Sequence, residues 1–295
     1  RRSGRHYYPK LLTAVPFTPA TGPRLCVAPG EDARACRAAL FAAVRRLADK
    51  QDLSSWHVLF PGDAEAGDLE DMGASLRRGS QFHWFNNGYE SFDDFLATFN
   101  SRKRKSLKRE RRRVQEQGIE LQTLEGANIT GHHWEEFYRF YQMTYAKRSG
   151  HGGYLNREFF MRLGEDLPGH CVLVRAALDG EAVAGSLCLR SADTLFGRYW
   201  GCVRELDCLH FEACYYQGID YCIREGLSRF DPGAQGEHKI QRGFTPIATV
   251  SAHWMADPSF AQAIDDFTRH EEAHIDAYIE EASAYLPFRQ DSSGG

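Results

Sequence analysis

The sequence has no uncharged apolar run near the ~18 residues that a membrane-spanning helix requires, so no helical span is expected. It has no Cys-x-x-Cys pair either. Its eight cysteines, at 26, 36, 171, 188, 202, 208, 214 and 222, mostly sit in apolar segments. That excludes a disulfide framework or a zinc ribbon and points to buried thiols in a reducing compartment. The basic stretch Arg1 to Lys10 lacks an apolar core segment and a small-residue cleavage site, so a cytoplasmic location is expected rather than secretion. No serine or cysteine lies in a nucleophile-elbow pattern. Nor is there an excess of one charge, since 36 Lys and Arg face 40 Asp and Glu for a net −4. A strongly basic body is thereby excluded, and a polyanion would have to be met at a local patch.

Such a patch is present. Between Arg102 and Arg113 stand nine bases and one acid, leaving 27 bases and 39 acids, a net −12, for the other residues. On a helix, Arg104 and Lys108, Lys105 and Arg109, and Lys108 and Arg112 are four apart and repel, so the run needs either an acidic surface or a bound polyanion to offset it. At 295 residues, 42% of them hydrophobic and 26% charged, the chain suits about two soluble domains.

The first part alternates strand and helix, which favours an α/β layered sheet. A strand is expected at 10–16, a proline-rich loop at Phe17 to Arg24, and a helix with Cys36, Leu40, Ala43, Val44 and Leu47 on one face. Further strands are expected at Trp56 to Phe60 and Gln81 to Phe85, with an acidic helix-like stretch between them reaching about Arg78. Ser91 and Asp94 spell a capping-box variant ahead of the basic helix, which ends at Gly118. In the second part an aromatic stripe from Trp134 to Tyr145 marks a helix, and Asn156 caps another. Strands at Cys171 to Leu178 and Ala182 to Arg190 meet at an Asp179-Gly180 turn, and a third runs from Leu195 to Val203. The helix His210 to Glu225 presents Phe211, Cys214, Tyr215, Ile219, Cys222 and Ile223 inward. Short strands at Phe230-Asp231 and Thr249 to Met255 precede an acidic helix from about Pro258 to Ala284. A faint echo links Ser75–Trp84 with Lys239–Trp254, each with Arg-Gly and then His-Trp.

The phrases QFHWFNNGYESFDDFLATFNSRKRKSLKRERRRV (81 to 114), FGRYWGC (196 to 202), LHFEACYYQGIDYCI (209 to 223) and GAQGEHKIQRGF (233 to 244) resemble the FemAB-like predicted N-acyltransferases, a branch of the GNAT superfamily related to peptidoglycan aminoacyltransferases. The resemblance implies an α/β fold of tandem GNAT-like lobes. It places the latter part of a first lobe at 1–90, a basic helical connector at 91–118, a complete second lobe at 119–290 and a disordered tail at 291–295, the first lobe lacking its leading elements. The usual coenzyme A cradle of bare backbone N–H groups is not matched. Val203 to Leu209 offers no glycine and two acids there, and the Thr18 to Arg24 loop, with Arg24, is only a partial substitute.

Gly233 to Lys239 is the densest chemical signal. Transfer to an amine requires removing a proton from an ammonium and steadying an oxyanion. Glu237 or His238 supplies a base, Gln235 an amide donor, and Lys239 with Arg242 holds an anionic handle. His210 and Glu212, with Arg198, Tyr199 and Trp200 on the preceding strand, form a candidate wall for the substrates. Arg102, Lys103, Arg104, Lys105, Lys108, Arg109 and Arg24 are the candidate donor-binding cations. His270 to His274 spells H-E-x-x-H, but no third ligand follows at a suitable spacing, so no metal is expected. These readings give an N-acyltransferase without a tightly bound cofactor. It would act on a small-molecule or peptide amine, with acyl-CoA as leading donor. Aminoacyl-tRNA is the alternative donor, and a non-catalytic GNAT-like binding module the alternative function.

Overall fold

The computed structural model describes residues 8–234 and 236–289, so Gln235 and the tail at 291–295 lie outside the described residues. Two compact units emerge. One comprises the chain up to Gln81 together with Pro246–Ala284, and the other runs from Phe82 to Thr245 and takes in the segment from Tyr285. The expected divisions at 90, 118 and 290 fall elsewhere. The basic helix belongs to the second unit, and the acidic C-terminal helix to the first. The reason is that two long strands, β3 (Ser75–Phe85) and β9 (Thr245–Met255), contribute residues to both units.

In the first unit the strand order is β1 (Lys10–Thr13), β2 (Ser55–Leu59), β9 and β3, with β1 parallel to β2 and β2 antiparallel to β9. Helices α1 (Ala33–Lys50) and α2 (Asp63–Asp71) cover one face. Asp32 caps α1 by accepting the N–H of Ala35 at 3.1 Å. The core gathers Leu25, Phe41, Trp56, Val58, Leu69 and Trp254. Phe41 and Ala48, not Leu40 and Leu47, are the buried residues of α1; the two leucines are 39% and 40% exposed. Residues up to Arg78, expected to be helical, are already strand from Ser75, where alternation puts Leu76 against the core while Arg77 pairs with Glu271 at 2.7 Å. Glu271 lies on α9 (Pro258–Ala284).

The second unit holds a sheet in the order β3, β8 (Arg229–Asp231), β7 (Thr194–Cys202), β6 (Glu181–Arg190), β5 (Cys171–Leu178) and β4 (Ile119–Glu125). It is antiparallel from β4 to β7 and parallel between β7 and β8. Asp179 and Gly180 make the expected tight turn, both with positive φ, 54° and 81°. Because alternate residues face opposite sides, Cys171 and Leu173 meet the aromatic helix α5 (Gly131–Ser149) and α6 (Arg157–Asp166), while Ala176 and Ala184 meet Val114 and Leu209. Asn156 caps α6 by accepting from the N–H of Phe159 at 2.9 Å. Ahead of the basic helix α4 (Ser101–Glu116) sits the short helix α3 (Phe92–Ala97), capped by Ser91 on the N–H of Asp94 at 3.1 Å.

The helix after β7 departs from expectation. It is α7 (Leu209–Phe211), one π-helical turn (Glu212–Tyr216) and α8 (Gln217–Arg224). Within the wider turn Glu212, Ala213 and Tyr216 are buried and Cys214 is half-buried, as is Phe211 before it, whereas Tyr215, Ile219 and Cys222 face inward as expected. The Arg-Gly echo is not one of backbone: Gly79 lies mid-strand in β3, whereas Gly243 ends a 3₁₀ turn at φ 83°. All eight cysteines are free, but only Cys171, Cys188 and Cys222 are buried, and Cys26 is exposed. No described helix is long and apolar enough to cross a membrane.

Candidate active site

The chemistry-bearing turn begins where β8 ends. Asp231, 3% exposed, accepts the N–H of Gly233 at 2.9 Å. The carbonyl of Gly233 in turn accepts from the ammonium of Lys239, which is only 1% exposed. Burial drives the Lys239 pKa down to about 8, partly offset by the charge of Asp231, while burial pushes the Asp231 carboxyl up. His83 stands 3.5 Å from Asp231, its own pKa lowered to about 3 by burial and then by Arg229 and Lys239. The loop is therefore pinned at Gly233 on both its donor and its acceptor. Gly236 comes next at φ 110°, and a Cβ there would stand 2.2 Å from Cε1 of His238, so the imidazole rests directly on the bare backbone.

The 3₁₀ turn Glu237–Arg242 then presents Glu237 and His238 to the exterior. His238 Nε2 lies 2.8 Å from the hydroxyl of Tyr215, a residue of the π turn. Around this pair the rings of His210, Phe211 and Trp200 close in. His210 is 5.3 Å from Trp200, 5.5 Å from Tyr215 and 6.4 Å from His238, and Phe211 is 5.8 Å from His238. Burial drives His210 down to about 4, helped by His238 and nearby cations. Burial, then Arg242 and Lys239, also lower His238. Arg242 locks the turn from behind. It stacks 3.5 Å over Phe211, donates to the carbonyl of His238 at 2.8 Å and to Glu110 at 2.9 Å. Tyr216 donates to the same Glu110. Two imidazoles favoured in the neutral form on a fastened, glycine-bounded turn suit proton transfer or carbonyl polarisation.

A family signature described as FemAB-like, peptidoglycan biosynthesis/recognition, matches residues 1–290. The chain belongs to the FemAB-like family. Its fold agrees with solved structures: L-PGS from Bacillus licheniformis (TM-score 0.56, 12% identity, over 79% of this chain and 77% of that one) and FemX (TM-score 0.55, 12% identity, 85% of each). The C-terminal domain of a putative lysylphosphatidylglycerol synthetase from Agrobacterium fabrum is similar (TM-score 0.55, 10% identity, 79% and 77%). At such identities the likeness is one of fold, and that fold is of the α/β class expected. No curated protein matches by sequence.

In this FemAB-like chain the expected site residues separate into groups. His210, Trp200 and His238 come together, with Glu237 next along the turn. Lys239 and Arg242 are adjacent, but they are spent on Gly233, His238 and Glu110 rather than turned outward. Glu212 is 3% exposed and accepts from Arg111 at 3.0 Å and from Gln217 at 2.8 Å. It is an interior ion pair, with Arg111 also reaching Asp220 at 2.7 Å. Arg198 is the extra residue of a β-bulge, because Leu187 pairs with Tyr199 and Cys188 with Gly197. Its guanidinium lies 4.3 Å over the Tyr199 ring, which packs on Tyr141 at 5.3 Å. Arg24 belongs to the first unit, where its guanidinium donates to the carbonyls of Leu59 (2.7 Å), Gly22 (3.0 Å) and Ala20 (2.5 Å). Among the described residues no three potential metal ligands converge.

The basic helix has two sides. Inward, Leu107 and Val114 are buried and Glu110 and Arg111 make the bonds above. Lys103 donates to Gln241 (2.9 Å), Lys108 pairs with Asp93 (2.7 Å) and Arg113 with Asp207 (2.8 Å). Outward, at ~100° per residue, Arg102, Lys105, Arg109 and Arg112 fall within an arc of about 80° along a rise of about 15 Å. All four are exposed, and among the described residues none of them, nor Arg104, has a side-chain partner. Sequence reasoning missed Tyr215, Asp231 and Glu110. Glu110 had left a trace as the lone acid in a run of nine bases.

Proposed function

We propose that the protein is an N-acyltransferase whose donor is an aminoacyl ester carried on tRNA and whose acceptor is an amine of a peptidoglycan-type peptide. The observation that carries the reading is the turn Gly233–Arg242, which presents His238 and Glu237 from a rigidly fastened base in a chain of this family. The amine nitrogen attacks the ester carbonyl, a C–N bond forms, the C–O bond to the ribose breaks, and the amine's proton passes to the leaving oxygen. Glu237 and His238 supply proton handling and carbonyl polarisation. The donor is favoured by the stripe Arg102, Lys105, Arg109 and Arg112, whose spacing of about one helical turn suits successive phosphates of one strand. A planar anionic surface fits less well, because the remaining residues carry net −12. Coenzyme A is disfavoured by the turn after β7. Its two acids, Glu205 and Asp207, are committed to Lys147 and Arg113, and it offers no glycine.

The test measures binding of charged tRNA against salt, and transfer of the labelled amino acid to a muropeptide amine. Replacing the four stripe cations with Gln should reduce the slope of log K on log salt by about 3 while leaving the melting temperature almost unchanged. If acyl-CoA raises the melting temperature and charged tRNA does not bind, the donor assignment is wrong.

A further inference from the structure

The imidazole of His238 has two nitrogens, and the structure fastens only one. We infer that His238 meets the reacting carbonyl as a hydrogen-bond donor through Nδ1–H, not as the base, and that Tyr215 is the positioning residue that fixes this tautomer. This rests on the reading that the 233–242 turn is the acyl-transfer site and assigns the roles within it.

Tyr215 is 4% exposed, and its hydroxyl has a single proton to place. Among the described residues its one hydrogen-bonding partner is His238 Nε2, 2.8 Å away. Were Nε2 the protonated nitrogen, it would donate to the tyrosine oxygen and leave the hydroxyl proton with no acceptor among the described residues, a cost that folded proteins avoid. The satisfied arrangement has the hydroxyl donating to Nε2. The single proton of the neutral ring then sits on Nδ1, which has no partner among the described residues on an exposed turn. Burial, and then the nearby charges of Arg242 and Lys239, favour the neutral ring. Its Cε1 edge rests on Gly236, so the ring cannot turn over without leaving Tyr215. A neutral imidazole whose lone pair is already occupied cannot accept a proton from the amine. It can donate to an oxygen that gains negative charge as the amine adds to the carbonyl. Glu237, exposed one residue before it, is then the group that receives the amine's proton.

Two measurements decide this independently. Long-range ¹H–¹⁵N correlation on histidine-labelled full-length protein above pH 7 should show His238 protonated at Nδ1, with the proton moving to Nε2 in Tyr215→Phe. That spectrum needs no substrate, so it stands even if no donor supports transfer and the proposed reaction fails. In the transfer assay, His238→Asn places an amide N–H near the Nδ1 position and should keep kcat within about tenfold of wild type, whereas His238→Ala should lose about 100-fold. A wild-type spectrum with the proton on Nε2, or an Asn variant no better than Ala, overturns the assignment.

Discussion

Two histidine-bearing segments, α9 and the 233–242 turn, stand out in the sequence, and the structure treats them in opposite ways. In α9 the two histidines of H-E-x-x-H turn back on their own helix. His270 Nδ1 meets the carbonyl of Asp266 at 2.5 Å, His274 Nδ1 meets that of His270 at 2.8 Å, and Glu271 is held by both nitrogens of Arg77's fork, at 2.7 and 2.8 Å. In the 233–242 turn, His238 is held by Tyr215, 23 residues away, and its carbonyl by Arg242, which is itself tied to Glu110, 132 residues away. The motif's two histidines are satisfied by their own helix and its acid by an arginine on β3, so its polar groups are already spent. A site assembled from distant segments leaves a reactive group pointing outward, because its other contacts have been made elsewhere.

The contrast can be broken most severely at Gly236. Gly236→Ala places a Cβ in the left-handed region and against the imidazole, so transfer activity should fall about 100-fold as His238 leaves Tyr215. Retention of full kcat would mean that the ring need not rest on the backbone. A smaller effect concerns acid stability. The folded pKa of His210, about 4, lies below its unfolded value of 6.5, so the unfolded chain binds the extra proton between those limits. Stability from the neutral ring is therefore present above about pH 6.5 and is lost as pH falls to about 4, by roughly 3 kcal/mol at most. In urea melts His210→Phe should lose less stability than wild type across that window; parallel curves would refute the burial argument. The smallest effect belongs to α9. His270→Ala with His274→Ala should change activity less than twofold and stability by about 0.5 kcal/mol or less, and added zinc should not shift the melting temperature.

Much of the fold was legible wherever the governing interaction is local. The Asn156 and Ser91 caps, the Asp179-Gly180 turn and the aromatic stripe of α5 all depend on neighbours within a few residues, and all appear as read. The helix after β7 was read correctly at Tyr215, Ile219 and Cys222 but not at Glu212, Ala213 and Tyr216, since periodicity assumes 3.6 residues per turn and the π turn Glu212–Tyr216 breaks that assumption. On α1, Leu40 and Phe41 are sequence neighbours of equal apolar appeal, and only the arrival of Trp56, 5.4 Å from the Phe41 ring, decides which is core. The roles of Lys239 and Arg242 escaped for the same reason. Their charges suggested an anion in waiting, but their partners are the turn's own carbonyls and Glu110. The proposed RNA donor rests instead on the outward stripe of α4, whose four cations have no side-chain partner among the described residues.

Lys239 carries one more implication. In the proposed reaction, which joins an activated carbonyl to an amine, Lys239 is a primary amine one residue from His238 whose pKa of about 8 would make it a capable acceptor near neutral pH. Sealed to 1% exposure and fastened to the carbonyl of Gly233, that nitrogen is withheld from the very reaction it sits beside. Under that proposal the enclosure of the amine guards against self-acylation, and a change that opens the loop would expose the lysine to the activated carbonyl.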